Sequence, residues 1–400
     1  MKTTPLPSGI LRSPRWTWCI PSEETAAAVR GMILTDENIV KNTPVRAVYR
    51  CGDHYLKFER GASFMASLRN RLHPKARREY EIGCSLAAAG IPAVRCEGWG
   101  RMGGMNVLIT RALPGFISLD EFFYTRIVYG GESADGILRE ITGFLQKFFE
   151  AGFLHGDLHF GNILYNPCTH EMAWVDLIAI SRPGMLPDAG RKAMSRCVVA
   201  LREGLTRRQM LRTIRGIGAA ESDEEAGTFY FDVVRYSARH LLETWEKRRA
   251  QILGAYPKFT DALPCPFAPG QTILLRKDWL TRPLLAPETI VSGIPSGYEE
   301  FRAKDESEAE TLFLRSMYLQ HLQIRHRRIA AYVRPDVLWL EPLPAGLEPM
   351  PPAPDDADAA FFRQTLKEAM IEAPADAVCR QPGGFLYLRD LRKLHAGFEE

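Results

Sequence analysis

Eleven residues, Leu154-His155-Gly156-Asp157-Leu158-His159-Phe160-Gly161-Asn162-Ile163-Leu164, restrict this chain more than any other stretch. Between apolar flanks they set Asp157 and, five positions on, Asn162. A carboxylate so placed accepts the proton of an attacking hydroxyl, and the amide coordinates magnesium on nucleotide phosphates, the division of labour of a phosphoryl-transfer loop. Fourteen residues beyond Asn162, past an Asn166-Pro167 turn and an apolar run, stands Asp176, where a second metal-binding carboxylate is expected. A polar loop holding these residue types by chance is the weaker account, because the types, the spacing and both apolar flanks must coincide.

A loop of this kind needs a cation for the nucleotide. Val45–Arg50, the turn Cys51-Gly52-Asp53 and His54–Glu59 read as a hairpin, with Leu56 and Phe58 on one face and Tyr55, Lys57 and Glu59 on the other. A lysine inside such a strand is costly unless paired. The α/β-phosphates and a helix glutamate would pair it. On its own Lys57 reads as a solvated edge-strand lysine; the catalytic loop reverses that preference. A helix is expected from about His73 to Ala89, stopped by Gly90 and Pro92. Glu79 shares its apolar face with Ile82, Gly83 and Leu86, whereas Glu81 sides with Ser85 and Ala88, so Glu79 is the expected partner of Lys57.

Two strands, Ala93–Gly98 and Met105–Thr110, and a hinge at Leu113-Pro114-Gly115 complete a small β-rich lobe, 16–112, after a poorly ordered tail, 1–15. A mainly helical lobe, 113–255, follows. It holds a capped helix from Ser118, a longer helix over Ala134–Ala151, an Arg-rich helical segment ending near Gly216 and a helix over Asp232–Leu253. The fold class is α+β, two-lobed and protein-kinase-like, with a further α+β region at 256–400. That region offers a helix, Glu308–Ile329, two strands at Ala331–Pro335 and Val337–Pro344, a Pro/Asp-rich stretch (Pro342–Asp358) and a last helix, Ala359–Glu372. It reads either as a degenerate half-copy of the small lobe or as an unrelated extension.

At 46% hydrophobic residues, four hundred positions are ample for two or three cored units. A net charge of +3 excludes a chain built as a polyanion binder, so nucleic acid is not an expected partner. Eight scattered cysteines without Cys-x-x-Cys spacing point to reduced, mostly buried thiols in a cytoplasmic protein. The N-terminus lacks an apolar core of signal-peptide length, and no run approaches the span of a membrane. Basic segments at Arg69–Arg78, Arg207–Arg215 and Arg325–Arg328 read either as solvated helix faces or as attraction to anionic lipid or a phosphorylated glycan. His155 reads as structural, bonded to backbone. His159 faces the acceptor in one reading; a helical zinc pair with His155 is disfavoured by Gly156.

Tyr55-Leu56-Lys57, Arg78-Glu79-Tyr80, Ala89-Gly90-Ile91-Pro92, Ala112-Leu113-Pro114-Gly115, His155–Leu164 and Leu205–Arg212 together resemble the lipopolysaccharide kinase family, the bacterial Kdo and core-heptose kinases. The resemblance covers about residues 16–220. It implies ATP and Mg2+ as cofactors, a sugar hydroxyl of lipopolysaccharide core as acceptor, and work at the cytoplasmic face of the inner membrane. It implies Lys57 on the α/β-phosphates, Glu79 fixing Lys57, Asp157 as base, and Asn162 and Asp176 as metal ligands. No Gly-x-Gly-x-x-Gly loop precedes Lys57, and Leu-Ile rather than Phe-Gly follows Asp176.

Two other functions fit the same loop. One is a small-molecule kinase of the aminoglycoside or choline type, which the basic helices count against. The other is a non-catalytic pseudokinase or binding module, which the joint presence of Lys57, Glu79, Asp157, Asn162 and Asp176 counts against.

Overall fold

A computed structural model describes residues 6–7, 9–61, 63–182, 202–278, 280–290, 293–344, 348–349, 356–381 and 385–399. Residues 183–201, which include Cys197 and the start of the expected Arg-rich helical segment, and most of the Pro/Asp-rich stretch lie outside them. Mixed helix and strand content agrees with the α+β class. The chain forms two compact units, residues 1–122 with 144–193, and 123–143 with 194–400. Residues 256–400 share a unit with 123–143 and 194–255.

The first unit is built on an antiparallel six-stranded sheet. Its elements are β1 (Thr17–Cys19), α1 (Glu23–Gly31), β2 (Ile39–Asn42), β3 (Arg46–Cys51), β4 (His54–Glu59), α2 (Phe64–Leu72), α3 (Lys75–Ala88), β5 (Cys96–Met102) and β6 (Met105–Arg111). Strand order is β1-β5-β6-β4-β3-β2. The hairpin closes over a two-residue Gly52-Asp53 turn, with Cys51 opposite His54 and Val48 opposite Lys57, so Cys51 belongs to β3 and not to the turn expected from the sequence. Leu56 and Phe58 are fully buried in a core with Tyr49, Val107 and Ile109.

Two expectations are corrected here, and one helix went unread. Residues 6–15 are not a loose tail: Leu11 is buried in that same core, and the Trp16 indole donates to the Ile10 carbonyl at 2.8 Å. The strand expected at Ala93–Gly98 runs three residues later, because β1 lies along it and Trp18 covers Gly100, where a Cβ would come within 2.4 Å of the ring. The exposed apolar side chains of Phe64, Met65 and Leu72 kept α2 from standing out as an amphipathic helix.

Chain segments β7 (Ile117–Ser118), α4 (Leu119–Phe122), the end of α5 (Asp135–Glu150), β8 (Leu154–His155), β9 (Ile163–Tyr165), β10 (Met172–Trp174) and β11 (Ile180–Ser181) complete the first unit. Ser118 caps α4, its hydroxyl accepting from the Glu121 amide at 3.2 Å.

The second unit contains α6 (Arg207–Gly216), α7 (Asp223–Glu243), α8 (Trp245–Leu253), β12 (Thr260–Pro264), β13 (Thr272–Arg276), β14 (Glu299–Arg302), α9 (Glu306–His321), β15 (Ile329–Val333), β16 (Val337–Leu340) and α10 (Ala357–Glu368). Helix α7 starts nine residues before the expected Asp232, because the Ser222 hydroxyl takes the Glu225 amide and three acidic residues favour the first turn. Helix α9 stops eight residues short of Ile329, where Gln323 turns into the left-handed region at φ 56°.

The largest described sheet of this unit has five strands in the order β12-β13-β15-β16-β14. In the first unit the last strand before the long helix α3, β4, pairs with the second strand after it, β6; here the last strand before α9, β14, likewise pairs with the second strand after it, β16. The two sheets share this pairing around the helix and differ in the strands that flank it.

The Arg325–Arg328 segment is not a surface patch. Arg327 bonds the Glu299 carboxylate at 2.5 Å, Arg328 pairs with buried Glu203, and Arg325 donates to the Glu203 carbonyl. On α6, by contrast, Arg208, Arg212 and Arg215 are exposed. Of the seven described cysteines, only Cys265 and Cys379 are buried, so the mostly buried thiols of the sequence reading are a minority.

Candidate active site

Lys57 extends from the middle of β4 to two carboxylates. Its Nζ donates to both oxygens of Glu79, each at 3.0 Å, and to Oδ1 of Asp176 at 2.6 Å. Glu79 reaches it because α3 packs its Glu79, Gly83 and Leu86 face inward. Glu81 points to solvent and pairs with Arg77 at 2.8 Å, one turn earlier on α3.

The Glu79 carboxylate also accepts the Leu177 amide at 3.1 Å, tying α3 to the residue after Asp176. Burial pushes the Glu79 carboxyl up; Lys57 opposes that. Burial also pushes on Asp176, but Lys57 and Arg46 overcome it and hold that carboxyl below its ordinary value. Asp176 itself adopts φ 51°, ψ 53°, a left-handed conformation rare outside glycine and frequent at functional positions.

The 155–162 loop is held by bonds between its own side chains and backbone. The Asn162 side-chain Nδ2 donates to the Asp157 carbonyl at 2.8 Å, and the Asp157 backbone amide donates to His155 Nδ1 at 3.2 Å. His155 is fully buried and stacks on Trp174 at 5.3 Å, so it supports the loop as expected. Burial drives its pKa down, leaving the ring neutral. The Val175 amide donates to the Asn162 carbonyl at 3.0 Å, which joins the loop to the residue preceding Asp176. The Asp157 side chain is 70% exposed, with His159 Nε2 3.8 Å from its carboxylate. A carboxylate so open can meet a hydroxyl arriving from solvent.

Two residues escaped the sequence reading. Arg46, on β3, bonds Glu59 at 2.6 Å and reaches Asp176 at 3.5 Å. Its link to Glu59 was available in principle, since the hairpin register sets the two directly opposite. Asp120, on α4, accepts a backbone bond from Gly161, and burial, eased by His159 and Gly161, raises its carboxyl to about 6. Nothing local in the sequence points from Asp120 to a loop forty residues on.

Asn162 and Asp176 offer hard oxygen donors, the kind magnesium takes while keeping waters and phosphate oxygens. Such a site needs no all-protein cage, and among the described residues no group of three or more His, Cys, Asp or Glu side chains forms one.

Residues 43–195 match the profile of the lipopolysaccharide kinase (Kdo/WaaP) family. The family read from the sequence is borne out over that stretch, which contains Lys57, Glu79, Asp157, Asn162 and Asp176. No curated protein matches the chain. The residues after 195, the greater part of the second unit, lie beyond the lipopolysaccharide kinase match. No helix among the described residues is long and apolar enough to cross a membrane.

Proposed function

We propose that this chain is an ATP- and Mg2+-dependent phosphotransferase whose acceptor is a sugar hydroxyl of the lipopolysaccharide core, a Kdo or a heptose. The observation that carries the reading is the Lys57 ammonium bound between Glu79 and Asp176, inside the stretch matching a lipopolysaccharide kinase family.

In this reading Lys57 meets the α/β-phosphates, and Glu79 keeps its ammonium in place. Asn162 and Asp176 would hold magnesium, which when bound neutralises charge on the transferring phosphoryl group. Arg46 adds a second cation beside Asp176, next to the Thr43-Pro44-Val45 turn that lacks the glycines of a phosphate-cradling loop. Asp157 orients the acceptor hydroxyl and takes its proton as the hydroxyl oxygen bonds to the γ-phosphorus and ADP leaves. His159 and Asp120 line the same loop, where an acceptor rich in hydroxyls finds both donors and acceptors. The six-stranded sheet with α3 serves as the small lobe. Any contact with a membrane surface is peripheral.

Turnover of an Asp157→Ala variant on core-oligosaccharide fragments tests the reading. Loss of a positioned base costs on the order of 10²–10⁴ in rate. An unchanged rate would remove Asp157 from the mechanism.

A further inference from the structure

In the second unit, a cleft of about 70 Å³ opens between the turn at Arg202, helices α6, α7 and α10, and the chain at 323–325. That is several times the roughly 10–15 Å³ a single water needs. Its deepest charged group is Arg202, only 7% exposed. Nη1 of this guanidinium donates to the Leu322 carbonyl at 2.5 Å, and its plane lies 5.5 Å from the Tyr230 ring centre. Among the described residues, Nε and Nη2, which share the opposite edge, have no hydrogen-bond partner.

Gln323 repeats the pattern. It is 1% exposed, its Oε1 accepts from the Tyr124 hydroxyl at 2.5 Å, and its Nε2 is unpartnered. Two further arginines line the walls, Arg207 over Phe361 at 5.7 Å and Arg325 over Phe385 at 3.8 Å. Among the described residues that line it, the only carboxylate is Asp358, 3.7 Å from Arg207 and 4.0 Å from Arg380.

Native interiors rarely leave such donors orphaned, and a buried guanidinium without a counter-charge is costlier than an orphaned amide. Burial accordingly drives the Arg202 pKa down. A water offers two lone pairs and no charge, so it satisfies the hydrogen bonds and leaves the desolvation cost. An oxyanion does both. The free Nε–Nη2 edge is a planar fork whose spacing matches two oxygens of one carboxylate or phosphate.

We propose that this cleft is a binding site for a small oxyanion group, a carboxylate or phosphate held bidentately by the free edge of Arg202 and by the Gln323 amide. The site lies outside the stretch that matches the lipopolysaccharide kinase family, and it is independent of the phosphotransferase reading. Arg207 and Arg325 neutralise the remaining charge, and Phe361 and Phe385 keep both arginines pre-positioned.

The test is thermal melting and calorimetric titration of the full chain with sodium phosphate and with sodium acetate, against sodium chloride at matched ionic strength. At least one oxyanion is expected to bind saturably and raise Tm beyond chloride, and the stronger arm names its class. Arg202→Met should weaken that binding roughly ten- to a hundredfold, the worth of hydrogen bonds to a charged group. It should not lower the Tm of the ligand-free chain, since it removes an uncompensated buried charge. Arg207→Gln, at the rim, should weaken binding severalfold in a folded protein, and it decides the matter if Arg202→Met does not fold. No saturable effect of either anion beyond chloride, or affinity unchanged in these variants, overturns the proposal; binding that survives in both belongs to another site.

Discussion

Asp120 shows how a single environment sets a testable charge state. Burial raises its carboxyl to about 6, with His159 and the Gly161 amide pulling the other way. The folded pKa lies above the unfolded one, so its contribution to stability is complete below about pH 4 and is lost as pH rises through 6. Asp120→Asn keeps an acceptor for Gly161 and cannot ionise. It should therefore stabilise the protein at pH 8 by about 1–2 kcal/mol, a few degrees in Tm, and give no gain at pH 4. A Tm difference that stays constant across that range would place the carboxyl in ordinary solvent. Arg46 carries a different expectation. Arg46→Gln retains a donor for Glu59 and loses the charge beside Asp176. In steady-state kinetics the KM for ATP should rise about tenfold with kcat within a few-fold, as removal of a ground-state ionic contact does. Equal losses in kcat and kcat/KM would move Arg46 into transition-state stabilisation.

Helix α3 is the element on which the site depends. Three of its inward residues do separate jobs: Glu79 holds Lys57, Gly83 lets the helix approach β5, and Leu86 fills the core. A Cβ on Gly83 would come within 2.6 Å of Cys96 Sγ and 3.4 Å of Leu177 Cδ1. Alanine is the better helix former by about 1 kcal/mol, yet overpacking costs roughly 1–3 kcal/mol. Gly83→Ala should lower the denaturant midpoint and also reduce turnover, because a displaced α3 carries Glu79 one turn away from its contacts with Lys57 and Leu177. A gain in stability would show that α3 has room to spare. The hairpin and α3 were legible in the sequence because their signals are local: alternation around a Gly52 turn, and an apolar stripe ended by Gly90 and Pro92. Strand β1 was not, since three residues become a strand only by lying against β5.

Across the whole molecule, chain order and compact units do not coincide. Residues 123–143 interrupt the first unit in sequence and pack with partners from 202 onward. Phe123 lies against Gly204, Tyr124 bonds Gln323, and the Tyr129 ring sits 5.0 Å from the Arg328 guanidinium. Trp245 packs on Tyr318 and Phe398, and Tyr230 stacks on Phe361 at 4.9 Å. A chain ending at residue 255 would expose these faces and leave the Glu203 carboxylate buried without Arg328. Such a truncation should fail to give one cooperative unfolding transition and should aggregate, whereas an autonomous kinase ending there would melt normally and keep its turnover. Scanning calorimetry of the two lengths separates these outcomes.

What the sequence alone determined is the placement of groups that lie close along the chain. The Asp157–Asn162 loop, Asp176 and the Lys57 hairpin follow from fixed spacing and alternation, and helical periodicity chose Glu79 over Glu81. The tertiary structure decided what depends on neighbours distant in sequence. Arg325–Arg328 looks like a solvated basic run until Glu203 and Glu299 bury it, and Arg202 reads as one more surface arginine until its free edge is found inside a cleft. Arg46 and Asp120 join the site only once the sheet and the loop have folded together. Charge and exposure are properties of the packed chain: the same arginine costs little in water and needs a partner in the interior. No window of sequence contains both members of such a pair.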